Sequence, residues 1–299
     1  MSGREALLRS LAWQATLSYP PTLSELRQHA EAVIGDHEVD ELIASGEVVS
    51  DRGRLVLAGE EASIDELERR ERFFPRKWQK ILRLTRCFRW VPTIRWMAVC
   101  NTTAVGYARD AADIDLMIIT RSGTLWMTRL FLAAMARLIG RRPGERESER
   151  DAWCFSFFVS DQALSLKRYA LAPHDPYLEW WTLRLLPLID DGIGEAFWRE
   201  QAWVWQRRPK AAPWVSWGTI QDRGSRVGPL VRRVDAWCFK FLRRFGSKEL
   251  QAKAAEEGTD VVMEPEVAKL HLDDRRAWFR EQYEHRCARL GISPYTDVR

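Results

Sequence analysis

Two aspartates one residue apart, Asp113 and Asp115, sit among small and apolar residues in "AADIDLMIIT". On a strand, residues i and i+2 leave the same face. Two carboxylates on one face repel each other unless a cation stands between them. Mg²⁺ suits such a pair, because it takes one or two carboxylates and fills its shell with water and phosphate oxygens. Two solvated aspartates on the open side of a sheet are the plainer alternative. Upstream, an apolar run ends at Val99–Cys100 and turns through Asn101, Thr102, Thr103 and Ala104. A short turn leading into a helix offers backbone N–H groups to an anion.

The elements that must position these residues follow from the pattern of apolar residues. "TIRWMAVC" and "DLMIIT" read as strands, "LWMTRLFLAAMARLIG" as a helix and "AWCFSFFVS" as a third strand, which predicts an α/β region over 91–162. Before it, residues 64–90 read as a long charged helix that Pro75 kinks or breaks. From Asp65 to Arg95 ten Lys and Arg face four Asp and Glu, a net of +6. This is either a solvated helix whose apolar side (Ile81, Leu84, Phe88) packs on the next domain, or a basic wall beside an anionic substrate. The first is expected. Beyond 170 the chain reads as almost wholly helical, over Tyr177–Ile189, Gly194–Trp205, Gly228–Phe245 and Asp273–Leu290, with Gly291 as a C-cap and a loose connector over Arg208–Arg226. "GIG" at Gly192–Gly194 reads as a helix–helix turn. The stretch "VGPLVRRVDAWCFKFLRRFGSK" is amphipathic: Leu230, Val231, Val234, Trp237, Cys238, Phe241 and Leu242 on one broad side, Arg and Lys on the other. It is expected to cover a Trp-rich core, with membrane-surface binding as the alternative.

Residues 4–60 give three helical stretches and then "EVVSDRGRLVLAG", two short strands around a turn. This is the winged-helix pattern. DNA binding is disfavoured, because residues 1–60 carry five Arg and no Lys against ten Asp and Glu, and the third helix holds Glu38, Asp40 and Glu41. A protein-contact or packing role is expected.

The whole chain has 299 residues, 46% of them hydrophobic and 29% charged, a net charge of +4, and 15 Trp. It is long enough for two or three domains and a sizeable core. The five Cys are dispersed with no metal-type spacing and read as buried thiols in a reducing compartment. The N-terminus lacks the apolar core of a signal peptide, and Arg129 and Arg137 interrupt the most apolar run, so no membrane span and a cytoplasmic location are expected. The five His are scattered and are expected in surface or capping roles.

The segment Asn101-Thr102-Thr103-Ala104-Val105-Gly106-Tyr107-Ala108, four further residues, then Asp113-Ile114-Asp115-Leu116 resembles the motif of the nucleotidyltransferase superfamily. That superfamily is typified by DNA polymerase beta, the kanamycin-type enzymes and the minimal nucleotidyltransferases. Its pattern is Gly-Ser-x-Ala-x-Gly-x-Ala, a short loop, then Asp-x-Asp. Ala104, Gly106, Ala108 and both aspartates match, Thr102 stands for the Ser, Asn101 for the Gly, and Ala112 for the usual Ser before the aspartates. Only residues about 97–120 carry a specific motif, although the order of units looks like bacterial nucleotidyltransferase-domain proteins over most of the chain.

The resemblance implies transfer of NMP from an NTP to an unidentified hydroxyl acceptor (a small molecule, a protein side chain or an RNA end), with Mg²⁺ or Mn²⁺. Asp113 and Asp115 would hold the metal, and Asn101, Thr102 and Gly106 the phosphates. The further carboxylate such enzymes carry on a neighbouring strand would be Asp151, at the start of "AWCFSFFVS"; Asp161 lies beyond its end and Ser156 in its middle. The alternative is a catalytically degenerate domain that binds nucleotide or a partner in a regulatory role. The expected fold is thus α/β (α+β): a nucleotidyltransferase core with a small mixed sheet, flanked by a winged-helix unit and a helical C-terminal region, divided as 1–62, 63–168 and 169–299.

Overall fold

Nearly continuous apolar runs on the central strands bury both faces of one sheet, so helices must cover it on each side. A computed structural model describes residues 2–138, 150–211, 227–256, 258 and 260–295. Most of the charged stretch "GRRPGERESERD" (140–151), which reads as a loop, and most of the connector over 208–226 lie outside the described residues.

The chain opens with α1 (Gly3–Thr16), α2 (Leu23–His29) and α3 (Asp36–Ala44), followed by an antiparallel hairpin of β1 (Val48–Asp51) and β2 (Arg54–Leu57). Ser2 and Thr22 start their helices with capping boxes closed by Glu5 and Glu25. The hairpin turn places Arg52 and Gly53 at φ +48° and +74°, which matches the twist of the flanking strands. Then come α4 (Ala62–Glu71) and α5 (Phe74–Phe88), separated where Pro75 enters the first turn of the second.

The centre runs β3 (Ile94–Val99), α6 (Asn101–Ala104), β4 (Ile114–Thr120), α7 (Leu125–Leu138) and β5 (Trp153–Ser160). After it follow α8 (Pro176–Leu183), β6 (Leu186–Asp190), α9 (Gly194–Glu200), α10 (Ala202–Trp205), α11 (Pro229–Phe245), α12 (Lys248–Ala255), β7 (Val261–Glu264), β8 (Val267–Leu270) and α13 (Arg276–Arg289). The sheet has six strands in the order β6-β3-β4-β5-β8-β7. β4 and β5 are parallel and the other neighbours antiparallel. The architecture is mixed α/β.

This corrects the helical reading of the C-terminal region. Residues 186–190 form an edge strand instead of the end of a helix, and β7 and β8 extend the other side of the sheet. Pro187 is tolerated because β6 is an edge strand, where a missing N–H breaks no ladder. Gly192, at φ +98°, turns from this strand into α9, so "GIG" joins a strand to a helix. Gly291 does end the last helix at φ +67°.

One sheet face, with Trp96, Ala98, Met117, Ile119, Phe157 and Val159, packs in a cluster with residues of α1, α8, α9 and α13. The other, with Met97, Val99, Leu116 and Ile118, packs in a cluster with residues of α5, α7 and α11. Asp113 and Asp115 share the strand phase of Met117 and Ile119, so they belong to the first face.

Candidate functional site

β3 and β4 pair antiparallel, with Val99 opposite Leu116, and the Cys100 N–H donates to the Asp115 carbonyl at 3.1 Å. This brings the turn at Asn101 directly beside the aspartates. Asn101 has φ +57°. That is the left-handed region, which glycine enters freely and asparagine more readily than other side chains. The Asn101 amide Nδ2 donates to Asp115 Oδ2 at 2.8 Å, and the Tyr177 hydroxyl donates to Asn101 Oδ1 at 3.2 Å. Asn101 therefore holds the Asp115 carboxylate and is itself held by α8. Thr102 accepts from the Tyr107 N–H at 2.8 Å, which closes the turn, and Gly106 continues it at φ +74°. Tyr107 anchors the far side by packing edge-on against Tyr19 at 5.5 Å.

Asp113, Asp115 and Cys154 place one ligand-type atom each within 4.8 Å of one another. Cys154 arrives by register: it lies opposite Asp115 on the parallel strand β5. Met117 then faces Phe157, so β5 carries one extra residue between the two pairs. That bulge puts both Cys154 and Phe157 on the aspartates' side. Burial pushes the Asp115 carboxyl up; hydrogen bonds from Asn101 and Cys154 and the charge of Lys77 pull it back. The Cys154 thiol is held well above its ordinary value by burial and by the charges of Asp115 and Asp113. A carboxylate that is costly to ionise alone gains most from a cation. The donor set fits a divalent ion held by Asp113 and Asp115, with Cys154 as a third donor once deprotonated.

Asp151 does not join this cluster. It is completely buried at the start of β5, at φ +60°, and its carboxylate is gripped from α5 by Lys77 at 2.8 Å, Arg76 at 3.0 Å and Lys80. Those contacts hold its carboxyl well below the ordinary carboxylate range despite burial. Asp161 is tied to Arg95 at 3.1 Å and to the Ser122 N–H. The Ser156 hydroxyl oxygen lies 3.4 Å from the Cys154 sulfur.

Lys77 is the residue the sequence reading missed. It is fully buried and donates to the carbonyls of Ala112 and, at 3.4 Å, Asp110, in the loop that leads into the aspartates. The signal lies in the spacing: Lys77, Ile81, Leu84 and Phe88 share one helical phase, and the last three are expected on the buried side. The basic helix thus packs its apolar side as expected and adds three cations that fasten the floor of the site.

A cavity of ≈ 190 Å³ opens on the same sheet face beyond Asn101. Tyr177, Trp181, Phe279, Lys269 and Arg276 are among the residues that line it. Tyr177 and Phe279 stack with centroids 5.0 Å apart. Asp274 holds both cations, at 2.7 Å from Lys269 and 2.9 Å from Arg276. His271 also lines the cavity; burial and the charge of Lys269 push it down to about 4. His271 is half-buried, and His29, in the last turn of α2, is buried beside Arg184 and Arg208.

No family model matches the chain, and neither does any curated protein or solved structure. The site therefore rests on its own geometry. One consequence concerns Asn101. Asn101→Gly keeps the left-handed turn and is expected to melt within a few degrees of wild type, whereas Asn101→Val forces a β-branched residue to φ +57° and is expected to cost about 2 kcal/mol. Thermal denaturation of the two variants checks this.

Proposed function

We propose that this chain is a metal-dependent nucleotidyltransferase, moving NMP from an NTP to a hydroxyl acceptor. The observation that carries the reading is the juxtaposition of the Asp113, Asp115 and Cys154 cluster with a tight turn whose first residue is left-handed and clamps Asp115. That pairs a cation site with a phosphate-type turn at the spacing of the superfamily motif. The central strands are then a nucleotidyltransferase core, and the first three helices and hairpin a winged-helix unit. No described helix is long and apolar enough to cross a membrane.

A divalent ion on Asp113 and Asp115 would offset the charge that gathers on phosphate oxygens during transfer. The chain's own residues supply position. Asn101 fixes the Asp115 carboxylate, Tyr177 fixes Asn101, and the turn from Thr102 to Gly106 faces the phosphates. In the reaction, the acceptor oxygen bonds to the α-phosphorus, pyrophosphate departs with the electron pair of the broken P–O bond, and the hydroxyl proton passes to a base. The aromatic wall of Tyr177, Trp181 and Phe279 is suited to a planar base or acceptor.

A second reading has specific support. Asp151 is consumed by Arg76, Lys77 and Lys80, and Cys154 occupies the third donor place. A thiol is a poor partner for Mg²⁺. A domain that binds a metal–nucleotide and regulates a partner without turnover fits these two facts.

Incubating the chain in cell extract with NTPs labelled at the α-phosphate, with Mg²⁺ or Mn²⁺, separates the readings. The enzyme transfers label, and Asp115→Asn loses at least about a hundredfold of the rate. Binding of metal and NTP without transfer favours the regulatory domain. Absence of binding overturns both.

A further inference from the structure

The helix α11 is expected from its sequence to bury its apolar side, and it buries only part of it. At 3.6 residues per turn its surface divides into three sectors. One faces the body of the protein: Cys238 is buried, Phe239 and Leu242 pack beside it, and the 4% exposed Asp235 accepts the Met127 N–H at 2.7 Å in the first turn of α7. A second sector holds Arg232, Arg233, Lys240, Arg243 and Arg244, all exposed. Between them runs a third, made of Leu230, Val234, Trp237, Phe241 and Phe245. These five stand open to solvent, Leu230 at 72%, Trp237 at 63% and Phe245 at 66%. Trp237 stacks on Phe241 at 5.3 Å, and Phe241 meets Phe245 at 5.1 Å, so the stripe is a continuous ridge.

We propose that α11 is a membrane-surface helix that lays this ridge into the interface of an anionic lipid bilayer, with its basic sector on the headgroups. Three observations favour lipid over a protein partner. The stripe is a stacked row of exposed side chains carried by a single helix. Among the described residues, no carboxylate pairs with Arg233, Lys240, Arg243 or Arg244, and this unbalanced positive charge borders the apolar sector directly. The composition, with Trp, Phe and Leu on one side and Arg and Lys on the other, is that of helices that lie in the plane of the interface, and cationic flanks draw such helices to anionic headgroups. Asp235, Cys238, Phe239 and Leu242 meanwhile keep the helix docked, so binding does not require it to leave the fold.

Flotation of the full chain with vesicles tests this directly. One set is phosphatidylcholine alone and the other contains phosphatidylserine. The expected result is binding to the anionic vesicles only, weakened by added salt. The variant Trp237→Ser/Phe241→Ser/Phe245→Ser is expected to lose binding at least about tenfold, and Arg233→Glu/Lys240→Glu/Arg243→Glu similarly. Because all six side chains are exposed, both variants should melt with wild type. No flotation with anionic vesicles, or equal flotation of wild type and the Ser variant, overturns the proposal. So does a dimer in light scattering that the Ser variant dissolves, which would assign the ridge to a second copy. A marked fall in Tm of the Ser variant also overturns it, since the ridge would then be covered by the chain itself.

Discussion

Replacing Asp113 and Asp115 together by Asn is expected to abolish the thermal stabilisation that Mn²⁺ or Mg²⁺ gives the chain. An ion that binds only the folded state at about a hundred times its dissociation constant adds about 2.7 kcal/mol, which is a rise of several degrees in Tm for a chain of this size. The double variant should show no rise. In EDTA it should melt at or above wild type, because burial opposes ionisation of Asp115 and the substitution removes repulsion within the cluster. Differential scanning fluorimetry in EDTA, Mg²⁺ and Mn²⁺ checks both halves. A variant that keeps the metal-dependent rise would place the ion elsewhere. Cys154→Ser refines the result: it should weaken Mn²⁺ more than Mg²⁺, since sulfur is the softer donor.

The second large effect is structural. Lys77 and Asp151 are both completely buried and joined at 2.8 Å. Asp151→Ala leaves the buried Lys77 charge uncompensated and is expected to cost about 3–5 kcal/mol, whereas Lys77→Met, which leaves Asp151 its contacts with Arg76 and Lys80, is expected to cost less. The double variant should cost less than the sum, because neither charge is left behind. Acid acts on the same contact. The folded-state pKa of Asp151 lies below the ordinary value of 3.8, so its contribution is complete above that value and is lost as the pH falls below it. Urea unfolding of wild type and Asp151→Asn at neutral pH and near pH 3 checks this. The difference between them should be large at neutral pH and shrink in acid. An equal difference at both pH values would contradict the assignment.

The central strands were legible because their apolar runs alternate with clear helix and turn signals, and Pro75 marked the break between α4 and α5. The hairpin was legible from "DRG", whose Arg and Gly take the positive φ angles such a turn needs. The missed elements have physical reasons. "LPLID" is apolar on both sides and carries Pro, and short apolar runs do not distinguish a buried strand from a helix end. β7 and β8 are four residues each and gain their stability from pairing with β5, which sequence periodicity does not register. The aspartate pair and Asn101 stood out by spacing. Cys154 did not, because it reaches the aspartates through a bulge, and strand phase alone cannot show an extra residue. Asp151 was a candidate by position on the chain, yet its three cations come from a helix some seventy residues earlier. For α11 the pattern gave an amphipathic helix but not which sector the body covers.

The central claim is that Asp113, Asp115 and the Asn101 turn together hold a metal–nucleotide. Calorimetric titration of NTPs into the full chain, with Mg²⁺ and then with EDTA, tests it most directly. The expected result is saturable binding of at least one NTP that requires the ion and disappears in Asp115→Asn. Binding that persists unchanged in EDTA and in Asp115→Asn, or no binding of any NTP with Mg²⁺ or Mn²⁺, would contradict it.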